Sequence, residues 1–398
     1  MRIGVVVHGA EAIDSGFALK TITMLKKFGE VSSCLGGSMG RTAVIDHSLE
    51  NLIDIRHRER PSRAVQRMID EGCDVVCLVN HGKTLETGIL FAELVLGRIK
   101  TQSPAISACV VYSRTGREFI DTSKSLATSA CVVCSAEPVL GRIKSKDVPV
   151  LLIEGAGAIG CTSSCELTKA LASSLKLPVY SFNAKKTVEY NKNHIVRHIK
   201  GVLPGEFVQI NGIIIGRARG PEITVITENN IITGIKGCDL KVHGLKKLKQ
   251  VDLATAIIRS GTPRHPVVNT RQTRSLKNMV AVLINHDAES SFEKAKNACV
   301  AVTIGDDTTA VTADILYRFS TPVIGITDGD KDGLLEHTRI TSGSLVIKVR
   351  PGFDDLMGTV VKDAIFKGLE RVECLSIDRL KEQIIKLLDD NIVSIERY

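Results

Sequence analysis

The stretch "VTIGDDTTAVTADILYRFSTPVIGITDGDKDGLL" (residues 302–335) sets the terms on which this chain is understood. Two apolar runs, "CVAVTIG" and "TPVIGI", each end on carboxylates: Asp306 and Asp307 after the first, Asp328, Asp330 and Asp332 after the second. A third loop, "VIKVRPGFDDLMG", places Asp354 and Asp355 after another apolar run. Continuous apolar runs bounded by loops suit strands buried on both faces of a parallel sheet. The loops at the carboxyl ends of such strands are where open α/β sheets bind ligands. Clustered carboxylates repel, and a Mg2+ ion would relieve that repulsion while holding polyphosphate oxygens. Asp306, Asp328, Asp330 and Asp354 are therefore candidate metal ligands. An EF-hand is a poor match, because counting from Asp328 puts Glu336 ninth and Arg339 twelfth, where that loop needs its bidentate Glu.

The pattern extends outward from there. α/β alternation runs from "MVAVLINHD" to "SIDRLKEQIIKLLDDNI", where Ser376 can cap a helix with Ile377, Leu380, Ile384 and Leu388 on one face. The first third alternates in the same way: "RIGVVVHG" as a strand, a helix carrying Phe17, Leu19, Ile22 and Leu25, and "PSRAVQRMIDEG" as a helix opened by Pro61 and closed by Gly72. "CDVVCLVNHG" follows as a strand, then "LETGILFAELVLGRI" as a helix, and later "DVPVLLIEG" and "LPVYSFNA" as further strands. Between the two α/β parts, "GEFVQINGIIIGRARGPEITVITENNIITGIKGCDLKVHG" holds short β-rich runs punctuated by Gly, Pro and Asn-Asn, the signature of hairpins. The expected organisation is a mostly parallel, doubly wound α/β domain at 1–185 and a β-rich segment at 186–258. A linker at 259–275 and a second α/β domain with acidic loops at 276–398 complete it.

Composition narrows the functional classes. With 43% apolar residues, 24% charged and no Trp among 398 residues, the core must be aliphatic, which suits covered parallel sheets and gives little aromatic surface for stacking bases. The net charge of +8 is dispersed, with only "HGLKKLKQ" (243–250) and "NHIVRHIKG" (193–201) locally basic, so solvated faces are favoured over a nucleic-acid surface. The opening "MRIGVVVHGAEAID" is too short and too soon interrupted for a signal peptide or a spanning helix, and no later run reaches spanning length, so a cytoplasmic protein without a membrane partner is expected. Eleven scattered Cys are expected to be reduced thiols.

Glycine loops supply a second set of candidates. In "LLIEGAGAIGCTSSCELTKAL", Gly155, Gly157 and Gly160 satisfy G-x-G-x-x-G between an expected strand and an expected helix starting near Thr162. Backbone amides there could approach a phosphate. The strand that follows ends "SFNAKK" without a carboxylate, which argues against NAD. As a phosphate loop the same residues carry Cys161 at the lysine position, and a plain glycine turn is the competing account. In "LVNHGKTLETG", Gly82, Lys83 and Thr84 stand between strand and helix as the end of a phosphate loop would, and "LGGSMGRT" (35–42) is a third glycine turn. Lys83 and Arg350 are the candidate charge clamps for a phosphate. His194 and His198, spaced i, i+4 on an expected helix, and Cys131 with Cys134 in "SACVVCSA" have metal-ligand spacing but suit a polar helix face and a buried strand as well. His286 in "VLINHDAES" ends a strand near the acidic loops, as a general base or a strand cap.

Three resemblances attach to these residues. "VLLIEGAGA" with "KLPVY" resembles the dethiobiotin synthetase and cobyrinate amidase group of P-loop enzymes, which implies that Glu154 helps hold Mg2+ beside a nucleotide such as ATP. "ADILYRFSTPVIGITDGDKDGLLEHTRITSGSLVIKVRPGFDD" is similar to archaeal 6-hydroxymethylpterin diphosphokinase and its thiamin pyrophosphokinase relatives. That similarity implies Asp328 and Asp330 as Mg2+ ligands, with Asp354 or Asp355 as the carboxylate of a second loop. The chain as a whole resembles an uncharacterised archaeal family, mainly from methanogens. The expectation is a protein that binds a nucleotide or phosphorylated small molecule with Mg2+ and, if an enzyme, a phosphoryl or diphosphoryl transferase. A non-catalytic sensing or assembly protein, including a homo-oligomer, is the first alternative. A nucleic-acid binder is the second.

Overall fold

The computed structural model describes residues 1–83, 85–96, 98–99, 108–112, 150–154, 158–160, 173, 179–180, 188–191, 194–262, 264, 270, 272, 277–329, 333–336 and 338–398. The chain divides into two compact units. One comprises Met1–Val202 with Pro221–Thr224, the other Leu203–Gly220 with Val225–Tyr398.

In the first unit, β1 (Arg2–His8), β2 (Glu30–Gly36) and β3 (Val75–Asn80) form a parallel group in the order β2-β1-β3. All six residues of β3 are buried, as expected of an apolar run with both faces covered. The sheet continues through β4 (Ala108–Tyr112), β5 (Val150–Glu154), β6 (Ala158–Gly160) and β7 (Val179–Tyr180) in the order β3-β5-β4-β7-β6. The helices given in full among the described residues here are α1 (Glu11–Asp14), α2 (Phe17–Leu25), α3 (Arg41–Asp46), α4 (Pro61–Asp70) and α5 (Leu85–Leu96). α4 starts on Pro61, which lacks the amide hydrogen a first helical turn leaves unpaired, and stops at Gly72, whose φ of 83° is cheap only for glycine. α2 turns Ala18, Thr21, Ile22 and Leu25 inward and, of its apolar positions, leaves Leu19 exposed. A hairpin, β8 (Val188–Asn191) with β9 (His194–Lys200), follows.

The second unit holds two kinds of sheet. β10 (Phe207–Ile210) and β11 (Ile213–Ala218) are antiparallel neighbours. β12 (Glu222–Glu228), whose residues from Val225 on belong to this unit, and β13 (Ile231–Lys236) are joined by Asn229 and Asn230, at φ of 50° and 65°, the left-handed pair a tight hairpin turn needs. β14 (Cys238–Leu240) and β15 (Ile258–Gly261) extend the first pair to the order β14-β11-β10-β15. Helix α6 (Val242–Lys247) lies on β11 so closely that a β-carbon on Gly244 would sit 2.0 Å from the Ile214 carbonyl oxygen. Only glycine permits that approach.

The larger sheet contains β16 (Asn278–Asn285), β17 (Ala298–Ile304), β18 (Val323–Thr327) and β19 (Leu345–Val349), all parallel, with β20 (Arg371–Glu373) and β21 (Ile392–Arg397) as antiparallel edges, in the order β20-β16-β17-β18-β19-β21. α7 (Ser291–Ala295) and α8 (Asp306–Tyr317) connect the first three strands. α8 meets one face where Thr309 packs against Gly325 and bonds Thr303. α9 (Asp354–Ala364) and α10 (Ile377–Leu388) cover the other face, burying Met357, Val361, Leu380, Ile384 and Leu388 against Val300, Val302, Ile304, Ile324 and Ile347. The sheet is thus covered on both faces, with α8 and α9 beginning at the same, carboxyl, edge. Together these features give the α/β class expected: a mostly parallel first sheet, antiparallel middle sheets and a mixed α/β sheet at the C-terminal side. Among the described residues no helix is long and apolar enough to cross a membrane.

Candidate functional site

The carboxyl edge of the β16–β19 sheet gathers charge of both signs. Gly305 ends β17 with φ 94° and ψ 152° and hands the chain to α8, so Asp306 and Asp307 form its first turn. A β-carbon on Gly305 would lie 3.2 Å from His286 Cε1 and 3.7 Å from Asp354 Oδ2. The glycine is therefore what lets the ends of β16, β17 and α9 converge. Asp328 follows β18 and accepts the Gly352 amide hydrogen on Oδ2 at 2.7 Å, tying its loop to the one after β19. Asp354 and Asp355 open α9, where the helix dipole favours negative charge.

The carboxylates at this edge are not equivalent. Asp354 is 5% exposed, and Oδ1 of Asp354 and Oδ1 of Asp306 are buried with no hydrogen-bond partner among the described residues. Burial pushes Asp306 up to about 7, with Asp328, Asp354 and Asp307 adding repulsion and the Gly329 amide offsetting part of it. Burial also raises Asp354, followed by the charges of Asp328 and Asp355, while Lys247 pulls the other way. Asp355 behaves oppositely. Burial would raise it, but its hydrogen bond to His286 and the charges of His286 and Lys247 outweigh that and hold it below the usual carboxylate range.

His286 sits at the end of β16 with a left-handed φ of 53°, a conformation that costs a non-glycine residue energy and is often found at functional sites. Its Nε2 bonds Asp355 Oδ1, and Lys247 Nζ lies 3.3 Å from Nε2, 3.5 Å from Nδ1 and 3.4 Å from Asp355 Oδ2. The ring thus sits between the Asp355 carboxylate and the Lys247 ammonium. Lys241, at the other end of α6, pairs with Asp307 at 3.3 Å. On β19, Lys348 is exposed and its Nζ comes within 3.6 Å of where a β-carbon on Gly329 would stand.

The expected candidates distribute unevenly over this picture. Asp306, Asp328 and Asp354 are brought together, while Asp330 lies outside the described residues. Arg350 turns to the C-terminal side, donating to the Asp390 carbonyl at 2.7 Å. Gly82 and the exposed Lys83 follow β3, and Glu154 ends β5, all in the first unit. Thr84, Gly155, Gly157, Thr162, Cys131 and Cys134 lie outside the described residues. Gly160 belongs to β6, which runs antiparallel to β5 with Glu154 opposite Ala158; the residues directly after it lie outside the described ones. His194 and His198 lie on strand β9, where "HIVRHIK" is rich in the β-branched residues Ile195, Val196 and Ile199. Four residues along a strand span about 13 Å, too far for one ion, and His198 instead meets Glu222 at 2.9 Å.

Residues not singled out from the sequence complete the edge: Lys247, Lys241 and Lys348. The basic run 243–250 gave the signal for Lys247, but its acidic counterpart is remote in sequence. In the first unit, His8 at the end of β1 bonds Asn80 at the end of β3 at 2.8 Å and stacks on Phe91 at 4.0 Å. No pattern in the sequence marks that pair.

The donor set at the second unit's edge is all oxygen, which fits a hard divalent cation rather than zinc or copper. Among the described residues no group of three or more His, Cys, Asp or Glu side chains is placed to hold a metal ion. Mg2+ nonetheless commonly keeps several waters and uses one or two carboxylates plus phosphate oxygens, and the two orphaned oxygens of Asp306 and Asp354 meet that lesser requirement.

Residues 5–369 match a family described as an uncharacterized protein conserved in archaea (DUF2117). The chain is similar along its whole length to an uncharacterized protein of Methanocaldococcus jannaschii, with 34% identity over 401 residues that cover 100% of this chain and 99% of that protein. No solved structure matches it. The chain belongs to the archaeal DUF2117 family.

Proposed function

We propose that the carboxyl edge of the β16–β19 sheet binds a phosphorylated ligand through a divalent cation, Mg2+ by its oxygen donors, and that the chemistry is phosphoryl or diphosphoryl transfer. The observation that carries this reading is the pair of buried, unpartnered carboxylate oxygens on Asp306 and Asp354. A buried polar atom without a partner costs free energy, and a carboxylate costs most. A cation would satisfy both oxygens at once. Bound there, it would neutralise charge on a transferring phosphoryl group.

The chain's own residues supply the rest. Asp306 and Asp354 hold the cation, and Asp328 orders the neighbouring loops through Gly352. His286, fixed by Asp355 and strained into its backbone position, is placed to hold or move a proton at Nδ1. The local similarity of residues 313–355 to archaeal 6-hydroxymethylpterin diphosphokinase supports the same reading, with Asp328 in the ligand set. Glu154, at the end of β5, and the first unit's glycine loops would serve as a nucleotide site.

A thermal-shift panel of ATP, GTP, and pterin or thiamin precursors, each with and without Mg2+, tests it, because a ligand selective for the folded state raises the midpoint. The expected result is a Mg2+-dependent rise that disappears in Asp354→Asn. A rise that persists in that variant would remove the cation site from the account, and no rise with any ligand would favour a non-catalytic protein.

A further inference from the structure

Two lysines flank the acidic edge from opposite sides. Lys247 reaches it from α6, at the β16 side, between His286 and Asp355. Lys348 reaches it from β19, over Gly329 and beside Asp328, and no ion pair engages it among the described residues. Neither placement is accidental to the fold. Gly244 lets α6 lie close on β11, so that Lys247 projects onto the edge. Gly329, at a φ of 131°, leaves clear the space that Lys348 enters, since a β-carbon there would stand 3.3 Å from Lys348 Cε.

The spacing has a chemical meaning. Lys247 lies by the end of β16 and Lys348 by the end of β18, two strands apart in the order β16-β17-β18. The ends of β16 and β18 stand about 10 Å apart, which sets the scale of a ligand that reaches both lysines. A single phosphate is too short to bridge two ammonium groups so far apart. A diphosphate is long enough, and its centre would fall over Asp306 at the end of β17, where the orphaned carboxylate oxygen lies.

We infer that Lys247 and Lys348 are the two phosphate anchors of a diphosphate-binding site that spans the acidic edge of the second unit. The assignment rests on the cation-dependent reading above for what sits between them. The ligand class is a compound carrying a diphosphate group, in preference to a monophosphate or a carboxylate. Each lysine holds one end, and Lys247 exchanges part of its contact with Asp355 for the phosphate oxygen.

Isothermal titration of the full chain with inorganic pyrophosphate and with orthophosphate, each in Mg2+ and in EDTA, provides the test. The proteins compared are wild type, Lys348→Met, Lys247→Met and Asp354→Asn, with circular dichroism as the folding control. Wild type is expected to bind pyrophosphate at least tenfold more tightly than orthophosphate in Mg2+. Each lysine variant is expected to lose about tenfold for pyrophosphate, while its affinity for Mg2+ alone stays within about twofold because no cation ligand is touched. Pyrophosphate affinity unchanged in both lysine variants, or orthophosphate binding equally well, would overturn the anchor assignment while leaving the cation reading intact. Pyrophosphate binding in EDTA that still needs both lysines would do the reverse. Absence of pyrophosphate binding under either condition would overturn both.

Discussion

Replacing Asp306 by Asn should make the second unit more stable above neutral pH in the absence of divalent cations. Asp306 is held near 7 in the folded protein against an ordinary value of 3.8, chiefly by burial and then by Asp328 and Asp354. Between those two values the folded state keeps a proton that the unfolded chain has released. Stability therefore falls as pH rises through that window and is level above it. At about 1.36 kcal/mol per pH unit the full span is worth about 4 kcal/mol. Asp306 retains some contact with water, which reduces the figure to about 2 kcal/mol. Asn carries no charge to desolvate, so the variant escapes this loss. Thermal unfolding of wild type and variant from pH 4 to pH 8 in EDTA should show equal midpoints near pH 4. The variant's advantage should then grow to roughly 4–8 °C above pH 7 for a unit of this size. Added Mg2+ should raise the wild type and not the variant. A difference that is constant with pH, or a variant less stable at pH 8, would refute the premise that a buried carboxylate is held there at a cost to stability.

Three further outcomes follow from the packing around this edge. Gly325→Ala would place its β-carbon 2.4 Å from Thr309 Cγ2, displacing the residue whose hydroxyl bonds the Gly305 carbonyl at 2.7 Å. A loss of about 1–3 kcal/mol is expected in chemical unfolding, and an unchanged midpoint would show that Thr309 yields freely. Ser376→Ala removes the side-chain acceptor of the Arg379 amide at the start of α10 and should cost about 1 kcal/mol, seen as faster amide exchange confined to that helix. Lys241→Ala breaks the half-exposed 3.3 Å pair with Asp307. It should cost no more than about 1 kcal/mol yet speed exchange across α6, which a purely solvated lysine would not do.

Much of this architecture was legible in the residues because local and long-range demands agree. "CVAVTIG" and "PVIGI" read as buried strands, Ser376 as a helix cap, and Asn229–Asn230 between β-rich runs as a hairpin turn, and all three are found. The carboxyl-edge position of Asp306, Asp328 and Asp354 followed from those strands. What failed did so for identifiable reasons. Ile159, within "GAGAIG", pairs with Ile153 of β5, a short strand that the glycine spacing does not announce. "NHIVRHIKG" offers a four-residue histidine spacing that suits a helix, yet its β-branched Ile195, Val196 and Ile199 and its hairpin pairing with Val188–Asn191 make it a strand. Lys247 and Lys348 stayed hidden because their significance depends on partners 39 or more residues away, or on a neighbouring strand.

The most direct measurement of the central claim is electron paramagnetic resonance of Mn2+, a spectroscopic substitute for Mg2+, titrated into the full chain. Wild type should bind it at the second unit with a signal that competes with Mg2+, and Asp354→Asn, lacking one of the two orphaned oxygens, should lose at least tenfold in affinity. Equal binding by wild type and Asp354→Asn, or no binding by either, would contradict the assignment of this edge as a cation site.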